Sequence, residues 1–319
     1  MRSSLTCCAA LLVAPAVTAR GPLQAQNPEC ALYAAVLQAS RVCNAAVDAA
    51  RAFHPIVGML TSGGNPVLGR GGSLGGPARF ALTARVNGTN VVLPDLSYDG
   101  STGVVAKDDE LFFPSPLIEG AAGLIAGGPL GLDLLLSAQL LPTSVADGLT
   151  VDPDATSIGS VALGFGFGVR ATLFESGAFP GVSVSGMRRS IPRVQYGSLG
   201  AGDDYSFAAA VSAWNLRAVI GQRMSMLAVA AGVGHDWYEG DASARFREPL
   251  GGATGVVNVD LSTSRTVAFA NLGLDLGTVR IVGEAGHQFG KDQGITTVFQ
   301  DFDPASGRFF AAAGLQLGL

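Results

Sequence analysis

After residue 25, no stretch of this chain approaches the ~18 to 20 uninterrupted apolar residues of a membrane-spanning helix. Yet the 319-residue sequence is 48% hydrophobic and only 14% charged, where soluble domains carry roughly 25% charged residues. Its mean hydropathy is +0.37. A chain that belongs in lipid but cannot cross it as helices has one structure left. That structure is a closed antiparallel barrel, the only other fold that pairs every backbone N–H and C=O away from water. Forty-four glycines and sixteen prolines suit strands and turns better than a helical bundle. A net charge of −5 gives no basic footprint for nucleic acid.

From residue 78 onward, segments of two-residue alternation are separated by gaps that are long and short in turn. The strands expected are 78–87, 116–125, 130–141, 158–174, 180–189, 204–220, 224–237, 265–276, 279–289 and 308–319. In the third, Leu130, Leu132, Leu134, Leu136, Ala138 and Leu140 alternate with Gly131, Asp133, Leu135, Ser137 and Gln139. Gly127-Gly128-Pro129, residues 175–179, Gly221-Gln222-Arg223 and Gly277-Thr278 supply the short turns. Long loops at one end and short turns at the other are the asymmetry of membrane barrels. The phase is ambiguous in 204–220. There Tyr205, Phe207, Ala209 and Val211 begin one apolar row, while Trp214, Leu216, Ala218 and Ile220 finish on the other, which a bulge near Ala213 would reconcile.

The chain closes on Phe309, Ala311, Ala313, Leu315, Leu317 and Leu319, one apolar face of a final strand with no polar tail. This resembles the closing strand of bacterial outer-membrane β-barrels, with Leu where that class usually ends on an aromatic. The resemblance implies an all-β fold of about ten antiparallel strands over 78–319, located in the bacterial outer membrane. It also implies contact with outer-membrane lipid and lipopolysaccharide, and recognition of strand 308–319 by the barrel-assembly machinery. Residues 1–25 read as a secretory signal: Arg2, an apolar stretch from Leu5 to Val17, then small residues, with cleavage after Ala25 in preference to Ala19. Leu5-Thr6-Cys7-Cys8 lies before the apolar stretch, the wrong side for a lipobox.

Residues 26–77 are expected as a periplasmic helical and glycine-rich segment. The alanine-rich run 27–53 reads helical, with Asn27 as cap and Pro28 in the first turn. Signal removal leaves Cys30 and Cys43, and an oxidising compartment favours a bridge. One continuous helix would set them about 20 Å apart, whereas a bridge needs α-carbons within about 7 Å. Either the helix breaks near Ala39-Ser40 or the cysteines stay apart; the compartment argument favours the break. Downstream, residues 62–72 are rich in glycine, and their Asn65-Pro66 resembles the N-terminal hatch of FadL-type transporters for hydrophobic compounds, with Val67 where that family has Ala. The alternative is a flexible linker.

If the apolar rows face lipid, the lumen receives Asp133, Gln139, Arg170, Arg217, Arg280, Glu284, Gln288 and Arg308. These charges either cross-pair and fill a narrow barrel or line an anion passage. On the pairing reading, Arg170 and Arg217 meet Asp133 or Glu284. No cofactor or metal site is expected. The acidic groups Asp108-Asp109-Glu110 and Asp301/Asp303 read as solvated loop charge, the alternative being calcium or lipopolysaccharide-bridging cations. The three histidines, His54, His235 and His287, form no catalytic motif, and the adjacent His235 and Asp236 should point to opposite faces of one strand. Three functions follow in order of preference: a passive pore for small or hydrophobic solutes, a closed structural or adhesive barrel, and a rim hydrolase.

Overall fold

A computed structural model describes residues 26–126, 130–146, 148–176, 179–249 and 251–318. The expected signal segment 1–25, the expected turn Gly127-Gly128-Pro129 and Leu319 lie outside the described residues.

Ten antiparallel strands close into a barrel: β1 (Phe80–Pro94), β2 (Lys107–Ile125), β3 (Gly131–Pro142), β4 (Val161–Ser176), β5 (Phe179–Tyr196), β6 (Tyr205–Met224), β7 (Leu227–Arg247), β8 (Thr254–Asp275), β9 (Val279–Gln288) and β10 (Arg308–Gly318). Each pairs with its sequence neighbours, and β10 closes the ring on β1, from Thr89 opposite Phe310 to Ala81 opposite Gly318. Short strand pieces at 104–105, 144–146, 149–151, 157–158 and 298–299 dress the long loops. The expected class and strand number are therefore the observed ones.

The outer surface shows why the ring belongs in a membrane. Leu82, Leu136, Phe167, Val169, Leu216, Ile220, Val233, Leu272, Ile281 and Leu315 all point outward and are exposed. The two tryptophans of the chain stand directly opposite each other, Trp214 on β6 and Trp237 on β7, both facing out. Indole rings collect at the membrane interface, so this pair marks one edge of the belt. Beyond it the outward row of β7 becomes Glu239, Asp241, Ser243 and Arg245, which face water.

The strands outrun the sequence expectation at the long-loop end. β5 reaches Tyr196, β7 reaches Arg247 and β8 starts at Thr254, so most of 238–264, expected as a long loop with a strand extension around Val256–Leu261, is paired strand. The 22 residues of β8 span about 70 Å along the strand, or roughly 50 Å once tilted, twice the ~25 Å apolar band of such barrels. The upper half stands clear of lipid. Its apolar residues turn inward: Val91, Ile191, Val194, Tyr196, Tyr205, Phe207, Ala244, Phe246, Val259 and Leu261 form one buried cluster. This inversion removes the expected bulge near Ala213. β6 keeps a single phase against β7 throughout, and the apolar row changes sides because its apolar surroundings change sides. The register shift between β5 and β6 falls instead at Pro192-Arg193 of β5, where Ala209 pairs with Val194 and Val211 with Ile191.

What these inward residues cover is α1 (Leu37–Ser62), which runs through the barrel. From Val42 to Ser62 only Arg51 is less than fully buried. The segment read as a separate periplasmic unit is thus packed inside the ring. Alanine and other small side chains make it slim enough for the interior of a ten-stranded barrel, and Phe53, Ile56, Val57 and Leu60 meet the apolar wall. The helix also continues past Phe53 through Pro55. Its N-terminal end lies at the long loops: Arg41 donates to the carbonyls of Gly100 and Ser101, and Asp48 accepts from Thr296 and Thr297. Residues 63–79 then descend to the short-turn end, where Gly71 abuts Gly181 and Gly221, and Gly76 abuts Ala126.

Above α1 a short 3-10 turn, Pro28–Tyr33, folds back on the helix, with Cys30 and Cys43 joined as a disulfide at a Cα–Cα distance of 5.8 Å. The break that lets them meet lies at 34–36, a few residues before Ala39-Ser40.

Candidate functional site

A helix ends with four backbone carbonyls that lack intrahelical partners, and its C-terminus carries partial negative charge. Inside a barrel both must be answered by the wall. α1 ends at Ser62, and three strands each send an arginine to its end. Arg217 of β6 donates to Gly63 O at 2.8 Å and to Gly64 O at 2.9 Å. Arg189 of β5 donates to Thr61 O at 3.2 Å and to Ser62 O. Arg85 of β1 donates to Asn65 O at 3.1 Å, and beside it Asn87 Nδ2 donates to Leu60 O at 2.8 Å.

The carboxylates complete the seat. Glu119 of β2 sits between Arg189, at 2.6 Å, and Arg85, at 3.2 Å. Asp236 of β7 pairs with Arg217 at 2.6 Å and also accepts from Asn215 at 2.7 Å and Tyr238 at 2.9 Å. Glu284 of β9 turns its oxygens to the chain itself, accepting from Gly64 N at 2.9 Å and Asn65 N at 2.7 Å, with Asn271 Nδ2 at 2.6 Å. Arg85, Arg189 and Arg217 are thus matched in number by Glu119, Asp236 and Glu284, and all six are buried. The turn that makes this possible needs glycine at position 63, where φ is +58° and a Cβ would collide with the Arg85 guanidinium.

All eight residues expected in the lumen face inward. Asp133, Gln139, Arg170, Arg217, Arg280, Glu284 and Gln288 are buried, and Arg308, partly buried, lies over the Phe302 ring at 4.9 Å. Arg170 meets Asp133 at 2.7 Å, as expected. Arg217 does not meet Asp133 or Glu284: its partner is Asp236, because Glu284 is taken by the backbone of the turn. Gln288 reaches Tyr238 Oη at 3.0 Å, and Arg280 pairs with Asp275 lower down. Asn65, the first residue of the hatch-like pair, bonds Asn271 at 2.7 Å and Arg70 O at 3.1 Å, and Pro66 follows it in the same turn.

Sequence reasoning put Arg85 on the polar face of its strand without assigning it a partner, and missed Glu119, Arg189, Asp236 and Asn271 as luminal partners. Two-residue phase from neighbouring inward residues would have found Arg189 and Asn271; Asp236 was read only as the neighbour of His235.

The helix fills the lumen at this level. A gap beside Phe53, Val57, Leu60, Val91 and Ile191 holds about 20 Å³, room for about one water. The histidines are dispersed. His54 on α1 faces Tyr238 at 6.2 Å, His235 lies on the outer surface against Trp237 at 4.6 Å, and His287 packs on Phe309 at 4.6 Å. Asp236 and His235 do point to opposite faces. Among the described residues no group of three or more His, Cys, Asp or Glu could hold a metal ion. Glu110 of the outer acidic run pairs with Lys107 at 2.9 Å, and Asp303 caps the turn at Ala305.

No protein-family model matches this chain, and no curated protein sequence is significantly similar to it. Among solved structures it is similar to the outer-membrane protease OmpT from Escherichia coli, with 13% identity over 76% of this chain and 97% of that one, at a TM-score of 0.37. The translocator domain of the autotransporter NalP from Neisseria meningitidis gives 12% identity, 75% and 88% coverage and a TM-score of 0.41. The Pseudomonas putida toluene transporter TodX gives 10% identity, 75% and 88% coverage and a TM-score of 0.26. These neighbours are outer-membrane barrels of differing function; the apolar belt and tryptophan pair of this chain carry the membrane assignment by themselves.

Proposed function

We propose that this protein is a sealed outer-membrane barrel whose luminal helix anchors a platform on the cell surface. With the long loops outward, as in barrels of this class, the disulfide-closed turn at Pro28–Tyr33 and the loops around it form that platform. The observation that carries the reading is the six-residue ion seat closed on the end of α1. Each of its arginines divides its donors between backbone carbonyls of the plug and a carboxylate of the wall, so none is left to line a passage. In this reading the Asn65-Pro66 turn is a stopper held by Asn271 and Glu284, and the barrel performs no catalysis, in keeping with the separation of its histidines.

The test is planar-bilayer recording of the full chain. The wild-type protein should be silent at all voltages. The triple variant Arg85→Gln, Arg189→Gln, Arg217→Gln, which loosens the seat, should give intermittent openings. Steady wild-type conductance would restore the passive pore. A tag placed after the signal segment should bind antibody on intact cells; binding only after permeabilisation would put the N-terminus on the periplasmic side and overturn the platform.

A further inference from the structure

Below the helix seat, where residues 69–79 meet the short turns, the ion balance breaks down. Two adjoining cavities of about 560 and 330 Å³ open here, and both are lined by Arg70, Arg223 and Arg280, within the ~300–1,000 Å³ range of small-ligand sites. Arg79 joins the larger one. Among the described residues its one carboxylate is Asp275, already shared between Arg280 and Arg223, the latter at 2.8 Å. Glu175, in the smaller cavity, is occupied by Ser73, which donates to it from N at 3.1 Å and from Oγ at 2.9 Å. Arg70 is the anomaly. The residue lines both cavities, its Nε is sealed from solvent without a partner, and it makes no ion pair among the described residues. Apart from Arg79, which is exposed at the rim, every other luminal arginine named above has a carbonyl, a carboxylate or an aromatic face to meet.

Among the described residues the two chambers hold four arginines against a shared aspartate and a glutamate already taken by Ser73, with an unpartnered Arg70 Nε beside them, and this arrangement is built for an oxyanion. The planar fork of arginine matches phosphate in paired hydrogen bonds, and the Arg223 side chain, 63% exposed at the rim, leaves a way in. We propose that the short-turn mouth binds a phosphate group, with Arg70 as its central contact and Arg79, Arg223 and Arg280 around it. The group can arrive as free phosphate or on an anionic phospholipid headgroup of the leaflet beside it. This site is independent of whether the lumen above is sealed.

The full chain, folded in a non-ionic detergent without phosphate, is titrated calorimetrically with inorganic phosphate and, separately, with a short-chain phosphatidylglycerol. Saturable binding of at least one probe is expected. Loss of one charged hydrogen-bonding partner should weaken it about tenfold in Arg70→Gln, and less in Arg79→Gln. Arg188→Gln, which sits over Trp214 at 5.6 Å on the outer wall, should bind as the wild type does. Binding of the lipid alone assigns the headgroup as the source, and binding of both probes assigns the phosphate group itself. No saturable binding of either probe overturns the proposal. So does unchanged affinity in Arg70→Gln or, if that variant does not fold, in the exposed Arg79→Gln.

Discussion

Replacing Arg217 by Met tests the helix seat at its most connected point. The change keeps much of the side-chain volume but removes donors to Gly63 O, Gly64 O and Asp236, bonds of 2.8, 2.9 and 2.6 Å. Two carbonyls lose their guanidinium partner, at about 1–3 kcal/mol each where no water replaces it. Asp236 loses its counter-charge, and stripping one partner from a buried pair typically costs about 3–5 kcal/mol. One guanidinium serves all three, so the losses overlap and do not add in full. Asn215 and Tyr238 also continue to donate to Asp236. The expected destabilisation is therefore about 4 kcal/mol. Trp214 and Trp237 report it as tryptophan fluorescence during denaturant unfolding in micelles. A double-mutant cycle with Asp236→Asn separates the pair from the carbonyl contacts: the double variant should recover at least about 1.5 kcal/mol relative to the sum of the singles, as coupled neighbours do. A cost below about 1 kcal/mol for Arg217→Met, or strict additivity, would refute the seat as described.

Leu216→Arg, on the lipid-facing row, should cost about 2–4 kcal/mol, whereas Ser243→Arg, outward but above the tryptophan pair, should stay within about 0.5 kcal/mol; equal effects would misplace the membrane edge. Replacing both Cys30 and Cys43 by Ser should remove about 3 kcal/mol of local stability, seen as faster protease cleavage within residues 26–36 while the barrel keeps its heat-modifiable gel mobility; loss of the barrel itself would show that the turn is not merely a cap. Asp48→Ala takes an acceptor from Asn27 Nδ2 at 2.9 Å, Thr296 N at 2.9 Å and Thr297 N at 2.7 Å, so amide exchange at Thr296 and Thr297 should rise, and unchanged exchange would contradict the contact.

The half of the barrel that touches lipid was legible because only one physical demand acts on it: apolar out, polar in, every second residue. That demand gave the ring, its ten strands and the inward direction of Asp133, Arg170, Glu284 and Gln288. Above Trp214 and Trp237 the same strands pass into water on the outside and meet α1 on the inside, so the pattern inverts without any change of phase. Read by lipid rules, Tyr205, Phe207, Ala209 and Val211 looked like a slipped register, and 238–264 looked like loop apart from an extension around Val256–Leu261. Both misreadings have one cause, which is that the sequence of a strand records its contrast between faces but not which face is wet.

The same cause hid the partner of the luminal arginines. A barrel filled only by its own wall has no reason to concentrate guanidinium groups at one level. A helix end inside it does, because several carbonyls and a partial negative charge arrive together where water cannot reach, and arginine alone offers five donors in a fixed fork. The carboxylates follow from the arginines, since three cations at one depth of a narrow lumen need counter-charge. Arg85, Arg189 and Arg217 are thus the complement of an alanine-rich helix that stops at Gly63-Gly64-Asn65-Pro66, and the two features explain each other only when the helix is placed within the ring. At the lower mouth no helix end is present, and Arg70 has no such complement among the described residues; the argument that accounts for the upper arginines is the one that leaves the lower group calling for an anion from outside the chain.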